Sequence, residues 1–430
     1  MYLKREIFLW FYTTFMTFAI LKAEFKLTLL HTNDMHARIE EVNNKTRQCT
    51  EDGPCYGGFA RLAHQVKKIK EETENTLFLN AGDTYQGTPM YTLFKWKPFP
   101  KLMKMLQIDA MSLGNHEFDD GVAGLAPYLK KVNIPVVTCN LDTKDEPSLE
   151  NLIKPWKMFN FTNVKIAVIG YMTPDTKFLS CTDKVTFSGE VEKIKEYAKE
   201  AKNQGANLIF AVGHSGIEKD KEIAREVPEI DVVVGGHTDT FLYKGTPPPD
   251  IEQPTGEYPL MIKQESTNKE VPVVQAFGYT KYLGKLNLVW DEKFKLTSAE
   301  GNPILLESSV TKDPEVEKET SEWVKKLKGI LEQRKGTTKV HLNGSCRYNE
   351  CNFGNILADA ITYYVANQSK TDAEKWTDVP ITLINGGSIR KSIEVSDKVT
   401  WGDLLVALPF NKQIVSLSMK GCTLKKALQR

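Results

Sequence analysis

The chain has 430 residues, and its 56 Lys and Arg nearly match its 55 Asp and Glu, leaving a formal charge of +1. That balance excludes a polybasic nucleic-acid binder and an acidic solvating tail, while 41% apolar against 26% charged residues excludes a disordered chain. At roughly 150 residues per domain the length points to two or three domains, each able to bury its own core. Seven cysteines is an odd number, so at least one thiol has no partner within the chain.

Lys4 and Arg5 precede a run without charge from Ile7 to Leu21, and Ala23 follows it. A basic start, an apolar stretch and a small residue read as a secretory signal peptide over 1–23. The run is shorter than the ~20 residues a membrane span needs, and no other stretch is apolar enough to be one. Secretion permits disulfides, and it gives meaning to the N-x-S/T sequons at Asn44, Asn160, Asn343 and Asn367.

Short apolar runs then alternate with helical patterns over the first ~300 residues, as in an α/β sheet protein. The expected strands are Phe25–Leu30, Thr76–Leu79, Ala110–Leu113, Ile134–Thr138, Lys165–Ile169, Leu208–Val212, Asp231–Val234 and Lys285–Val289. Phe59, Leu62, Val66 and Ile69 recur at helical spacing, with Lys67, Lys68 and Lys70 on the solvated face. Lys244–Thr255, rich in Pro and Gly, is expected as a loop. Pro314–Lys335 turns to Glu and Lys with an apolar stripe, the pattern of a helix joining two domains. A second α/β segment follows from Thr338 to Arg430.

Five expected strands end alike. They run into Asp34-Met-His36, Gly82-Asp83, Gly114-Asn115-His116-Glu117, Gly213-His214 and Gly235-Gly236-His237. Ligands bind at the carboxyl ends of strands in open α/β sheets, so Asp34, His36, Asp83, Asn115, His214 and His237 should converge. Each motif alone occurs by chance, and a lone His after a strand is usually structural. Five in order are not explained by a core, which has no reason to place polar ligands at successive strand ends. Carboxylate, amide and imidazole donors suit Zn²⁺, Mn²⁺ or a similar divalent ion.

These motifs, in this order, resemble the metallophosphoesterase superfamily. Tyr56–Ala63, Gly114–Gly121 and Asn385–Arg390 are similar to the 5'-nucleotidase family in particular, and the resemblance runs from Phe25 to Arg430. It implies an N-terminal sandwich of two packed sheets flanked by helices (24–312), a linker helix (313–335) and a C-terminal α/β substrate-binding domain (336–430) that this stretch leaves incomplete. By resemblance, Asp34 and His36 hold a first metal, Asp83 bridges two, and Asn115, His214 and His237 hold the second. Asp239 falls where the family often has an amide completing the first site, and a carboxylate there adds negative charge. His116 and Asp119 match the catalytic His–Asp pair. The metals implied are two divalent ions, Zn first, with Mn, Mg, Co or Ca as alternatives.

The chemistry implied is hydrolysis of extracellular 5'-nucleotides, AMP to adenosine or ATP and ADP to AMP. Two ions ~3.5–4 Å apart can lower the pKa of a shared water, whose hydroxide attacks phosphorus, while His116 stabilises the transition state. In the C-terminal half, Arg347 and Arg390 match phosphate- and ribose-side contacts, Asn385 a base or ribose contact, and Phe410 one of two aromatics that sandwich the base. Cys49 with Cys55 and Cys346 with Cys351 resemble family disulfides, leaving Cys139, Cys181 and Cys422. His31, His64 and His341 are read as structural. The family pattern continues past Arg430, where a GPI signal separating an anchored from a secreted enzyme would lie. The partners expected are a nucleotide and no nucleic-acid polymer, with room for a homodimer. The competing reading is a nucleotide scavenger without turnover, which would not need His116 and Asp119.

Overall fold

The computed structural model describes residues 24–49, 53–347, 349–368, 377–408 and 414–429. The leader at 1–23 and Phe410 lie outside the described residues. The architecture is mixed α/β, with two sheets at its centre. One has five strands in the order Leu296–Leu305, Tyr282–Trp290, Phe25–Thr32, Thr76–Asn80, Ala110–Met111. The other has six, in the order Leu260–Lys263, Glu270–Val274, Val232–Val234, Leu208–His214, Lys165–Met172, Trp156–Asn160.

Side chains alternate across a strand, and here both faces of the inner strands are covered. Leu27, Leu29, Leu77 and Leu79 of the first sheet meet Val168, Phe210, Val212, Val232 and Val234 of the second in one core. The alternate residues point outward. Leu30 and Phe78 pack on Phe59, Leu62 and Val66 of the helix Phe59–Glu72 and on Phe99, Leu125 and Val316 of three further helices. Ala167, Ile169, Ile209, Ala211 and Val233 pack on Val191, Ile194 and Ile223 from the helices Glu190–Asn203 and Ile217–Glu226. The result is four layers, helices outside two stacked sheets.

Three elements depart from those expected. Ile134–Thr138 makes only isolated bridges, Met111 with Val136 and Val137 with Lys154, because Pro135 has no N–H to extend a ladder. The strand at Ala110 stops at Met111. The joining helix is Pro314–Leu331 and not 313–335: Arg334–Thr338 is a strand paired with Ser396–Thr400. Its start is well specified, with Pro314 in the first turn and Asp313 Oδ1 accepting the N–H groups of Glu315 and Val316 at 3.0 Å each. Val316 and Leu327 seat it on the first sheet's helices.

Lys244–Thr255 is a loop, pinned by Lys281. That ammonium is fully buried between Asp250 and Glu252, 2.5 Å from each. A smaller core of Cys351, Phe353, Ile389, Ile393, Val399 and Ala407 holds the C-terminal segment. Cys49 pairs with Cys55 and Cys346 with Cys351. Cys139 is a buried free thiol, and Cys181 and Cys422 are exposed ones. Among the described residues no helix is long and apolar enough to cross a membrane.

Candidate functional site

The strand ends place their polar residues together. Asp34 follows Phe25–Thr32, Asp83 follows Thr76–Asn80, His214 closes Leu208–His214, and His237 lies three residues past Val232–Val234. Three sets of donor atoms each lie within 4.8 Å of one another: Asp34 with His36 and Asp239, Asp34 with Asp83 and His214, and His36 with Asp83 and His116. His214 Nε2 is 3.0 Å from Asp83 Oδ2 and 3.3 Å from His237 Nδ1. The backbone N–H of His237 donates to Asp34 Oδ2 at 2.9 Å.

The backbone is bent hard to achieve this. Asp34, His36, Asp83, His237 and Asp239 all have left-handed φ, between 47° and 81°. Each such residue costs about 1–3 kcal/mol and persists only where the surroundings enforce it. Gly114 permits the closest approach, since a Cβ there would lie 2.2 Å from Asp83 Oδ1.

The donor set fits divalent cations. Asn115 Oδ1 and Asp239 Oδ1 are buried with no hydrogen-bond partner among the described residues, which is expensive unless something positive binds there. Burial pushes Asp34 up to about 8. Burial also opposes ionisation of Asp83, but the charge and hydrogen bond of His214 outweigh it and pull Asp83 down. Burial disfavours a charge on His214 too, and the two carboxylates lift it to about 10 regardless. The cluster thus demands positive charge, which is what metal cations supply.

Beside it, His116 Nδ1 donates to Asp119 Oδ2 at 2.8 Å. Burial would lower His116, but this bond and the charges of Asp83 and Asp119 raise it to about 9. Ser180 Oγ donates to Asp119 Oδ1 and Gln86 Nε2 to Asp119 Oδ2, both at 2.7 Å. Burial alone would push Asp119 up. Its three donors prevail, and the carboxyl sits below its ordinary value.

His36, His116 and Asp119 open onto a cavity of about 1570 Å³, whose lining also includes Arg347, Gly386, Gly387 and Arg390 of the C-terminal segment. Asn385 is exposed, and its Oδ1 caps a short turn by accepting the Gly387 N–H at 2.9 Å. The glycines after it, not Asn385, form the wall. His31 is buried and bonded to Tyr258 OH at 2.7 Å, and His341 pairs with Glu394 on the surface.

Several contributors carried no mark in the sequence. Arg38 lines the cavity, its Nη1 donating to the His36 carbonyl at 2.8 Å and the Gly87 carbonyl at 2.6 Å. Tyr279 donates from its OH to Asp239 Oδ2 at 2.7 Å. Glu117 accepts backbone N–H groups from both the Asp83 and the Gly114 loops. The place of Glu117 within Gly-Asn-His-Glu was the only available signal.

Residues 27–240 match the calcineurin-like phosphoesterase family, and residues 334–430 match the 5'-nucleotidase C-terminal domain. The chain is similar to Protein 5NUC of Lutzomyia longipalpis, with 42% identity over 419 residues covering 94% of this chain and 73% of that one. It is similar to a snake venom 5'-nucleotidase of Gloydius brevicauda, with 40% identity over 421 residues covering 96% and 71%. Among solved structures it resembles a 5'-nucleotidase precursor from Thermus thermophilus, with TM-score 0.71, 32% identity, and coverage of 90% of this chain and 74% of that one.

Proposed function

Because the chain belongs to the 5'-nucleotidase family and joins a calcineurin-like phosphoesterase unit to that family's C-terminal domain, we propose that it is a secreted, two-metal phosphohydrolase of 5'-nucleotides. It is a metal-dependent hydrolase of phosphoric esters. The finer reading assigns AMP, or ATP and ADP, as substrate. Residues 24–312 form the catalytic unit and 336–430 the substrate unit, joined by the helix.

In this reading Asp34, His36 and Asp239 hold one ion, Asn115, His214 and His237 hold the other, and Asp83 touches both. Such a pair supplies Lewis acidity and a water of lowered pKa. His116, charged and aimed by Asp119, stabilises negative charge as the ester oxygen departs. Arg347 and Arg390 offer planar, multi-donor contacts to phosphate oxygens from the opposite wall. Secretion is supported by the leader-like start and by the two disulfides.

One observation carries the reading: the hydrogen-bonded His116–Asp119 pair opens onto the same cavity as the two arginines. A pure scavenger has no use for that pair. The test is phosphate release from AMP, ADP and ATP side by side, before and after chelation and after Zn²⁺ or Mn²⁺ is restored. Release should stop on chelation and return with metal. Nucleotide bound without phosphate release in a single turnover would establish the scavenger instead.

A further inference from the structure

Tyr279 lies in no motif, yet it touches the site on four sides. Its OH donates to Asp239 Oδ2 at 2.7 Å. Its ring stacks on the His36 imidazole, with centroids 5.4 Å apart and planes inclined by 29°. The Arg38 guanidinium lies 5.5 Å from its ring centroid. Its backbone N–H donates to the Asp34 carbonyl at 2.7 Å. Phe277, Tyr279 and Thr280 are all left-handed, with φ of 62°, 60° and 58°, and a β-branched Thr is a poor resident of that region. A strained turn that presents one ring to three functional side chains is held for a reason.

We propose that Tyr279 is a positioning residue for the His36–Asp239 edge of the metal-holding cluster. The inference rests on the reading above that Asp34, His36 and Asp239 hold a cation. Asp239 has two oxygens. The Tyr279 hydroxyl occupies Oδ2, which leaves Oδ1, buried and without a partner among the described residues, as the oxygen available to a cation. Gly278 allows the turn to close on it, because a Cβ there would lie 2.9 Å from that same Oδ1. The stacked ring fixes the plane of the His36 imidazole, while His36 Nδ1 lies 3.2 Å from the Tyr85 carbonyl, leaving Nε2 to the cluster. Partners of this kind, which orient ligands without being ligands, typically change metal affinity by 10–100-fold when removed.

The test uses Tyr279→Phe, which keeps the ring and deletes the hydroxyl, alongside Asp239→Ala and the double variant. Each protein is titrated with Zn²⁺ against a competing chelator, with stoichiometry read by elemental analysis. The wild-type protein should hold two ions. In Tyr279→Phe one of them should be held about 10–100-fold more weakly and the other unchanged, with kcat recovering at saturating Zn²⁺. The double variant should bind about as weakly as Asp239→Ala alone, because the hydroxyl acts through that carboxylate. Unchanged affinity in Tyr279→Phe, or losses that add in full in the double variant, would overturn the positioning role. A wild-type protein that binds no Zn²⁺ would overturn the functional reading instead, so the two failures are distinct.

Discussion

Glu117 holds Asp83 through its backbone: Glu117 Oε2 accepts the Asp83 N–H at 3.0 Å and, from the next loop, the Gly114 N–H at 2.7 Å. Its other oxygen accepts the Thr84 N–H at 2.7 Å. One carboxylate thus ties the loop carrying Asp83 to the loop carrying Asn115 and His116. Glu117→Gln replaces one acceptor with an NH₂ that faces N–H donors. The buried mismatch should cost about 1–3 kcal/mol. Thermal unfolding with and without added Zn²⁺ checks this. The variant should melt lower in both conditions and gain less from metal. An unchanged midpoint would show that the loops are held by other contacts.

His116→Ala should lower kcat by about 10²–10⁴-fold, the range for a lost proton donor or transition-state contact. Metal content should stay near that of the wild type, since its neighbours Asn115 and Asp83 remain. Ser180→Ala removes one of three donors to Asp119 and should give a smaller loss in the same direction. Steady-state kinetics beside elemental analysis separates these effects. Loss of metal in His116→Ala would make it a ligand support.

Arg347→Ala and Arg390→Ala should weaken nucleotide binding. A charge-assisted hydrogen bond is worth about 1.5–3 kcal/mol, or roughly 10–100-fold in KM. The candidate metal-holding residues lie between Asp34 and Asp239, so metal loading should be normal in both. Equal KM for AMP in wild type and both variants would remove these arginines from the substrate site.

Asp220 is fully buried, accepting from Tyr171 OH at 2.6 Å and Gln275 Nε2 at 2.7 Å. Burial pushes it up to about 7 despite these bonds. A folded pKa above the unfolded one means that the stabilisation is complete below about pH 4 and is lost as pH rises through about 7. Asp220→Asn keeps the shape without the charge, and Tyr171 can accept where it donated. Relative to wild type the variant should therefore gain stability progressively between about pH 4 and 7 and keep that gain above pH 7, by an amount on the order of a few kcal/mol. Melting curves across that range provide the measure. A constant difference between the two proteins would mean that Asp220 does not titrate there.

The convergence of polar side chains at the strand ends was legible because its signals are local. A short apolar strand, a glycine and a polar side chain lie within a few residues, as at Val212-Gly213-His214. Inner strands were legible for the same reason, being continuous apolar runs buried on both faces. What the sequence hid is what the fold assembles from afar. Ser180 reaches Asp119 across 61 positions, and Tyr279 reaches Asp239 across 40; neither carries a motif. The strands at Trp156–Asn160, Leu260–Lys263 and Leu296–Leu305 are sheet edges, half-exposed and without a clean apolar pattern. Glu270–Val274 is interrupted by Pro272. The helix from Pro314 was read correctly at its start, where Asp313 and Pro314 mark it. Its end was overrun because Glu332, Gln333 and Lys335 suit a helix as well as a strand.

The first strand of the chain completes its pairing only with a strand from far along the sequence. Phe25–Thr32 runs beside Thr76–Asn80 on one side, but its antiparallel neighbour is Tyr282–Trp290, with Phe25 opposite Trp290 and His31 opposite Gly284. On the ribosome, Asp34, His36, Asp83 and His116 therefore emerge before the strand that flanks Phe25–Thr32 in their sheet, as does His214 of the six-stranded sheet, and Tyr279 is made only three residues before that strand begins. A growing chain can collect every candidate ligand and still lack a rigid frame to space them. Translation must pass Trp290 before the frame closes, so a stall or cleavage between Asp239 and Tyr282 yields a polypeptide with the donors in hand and an open sheet edge.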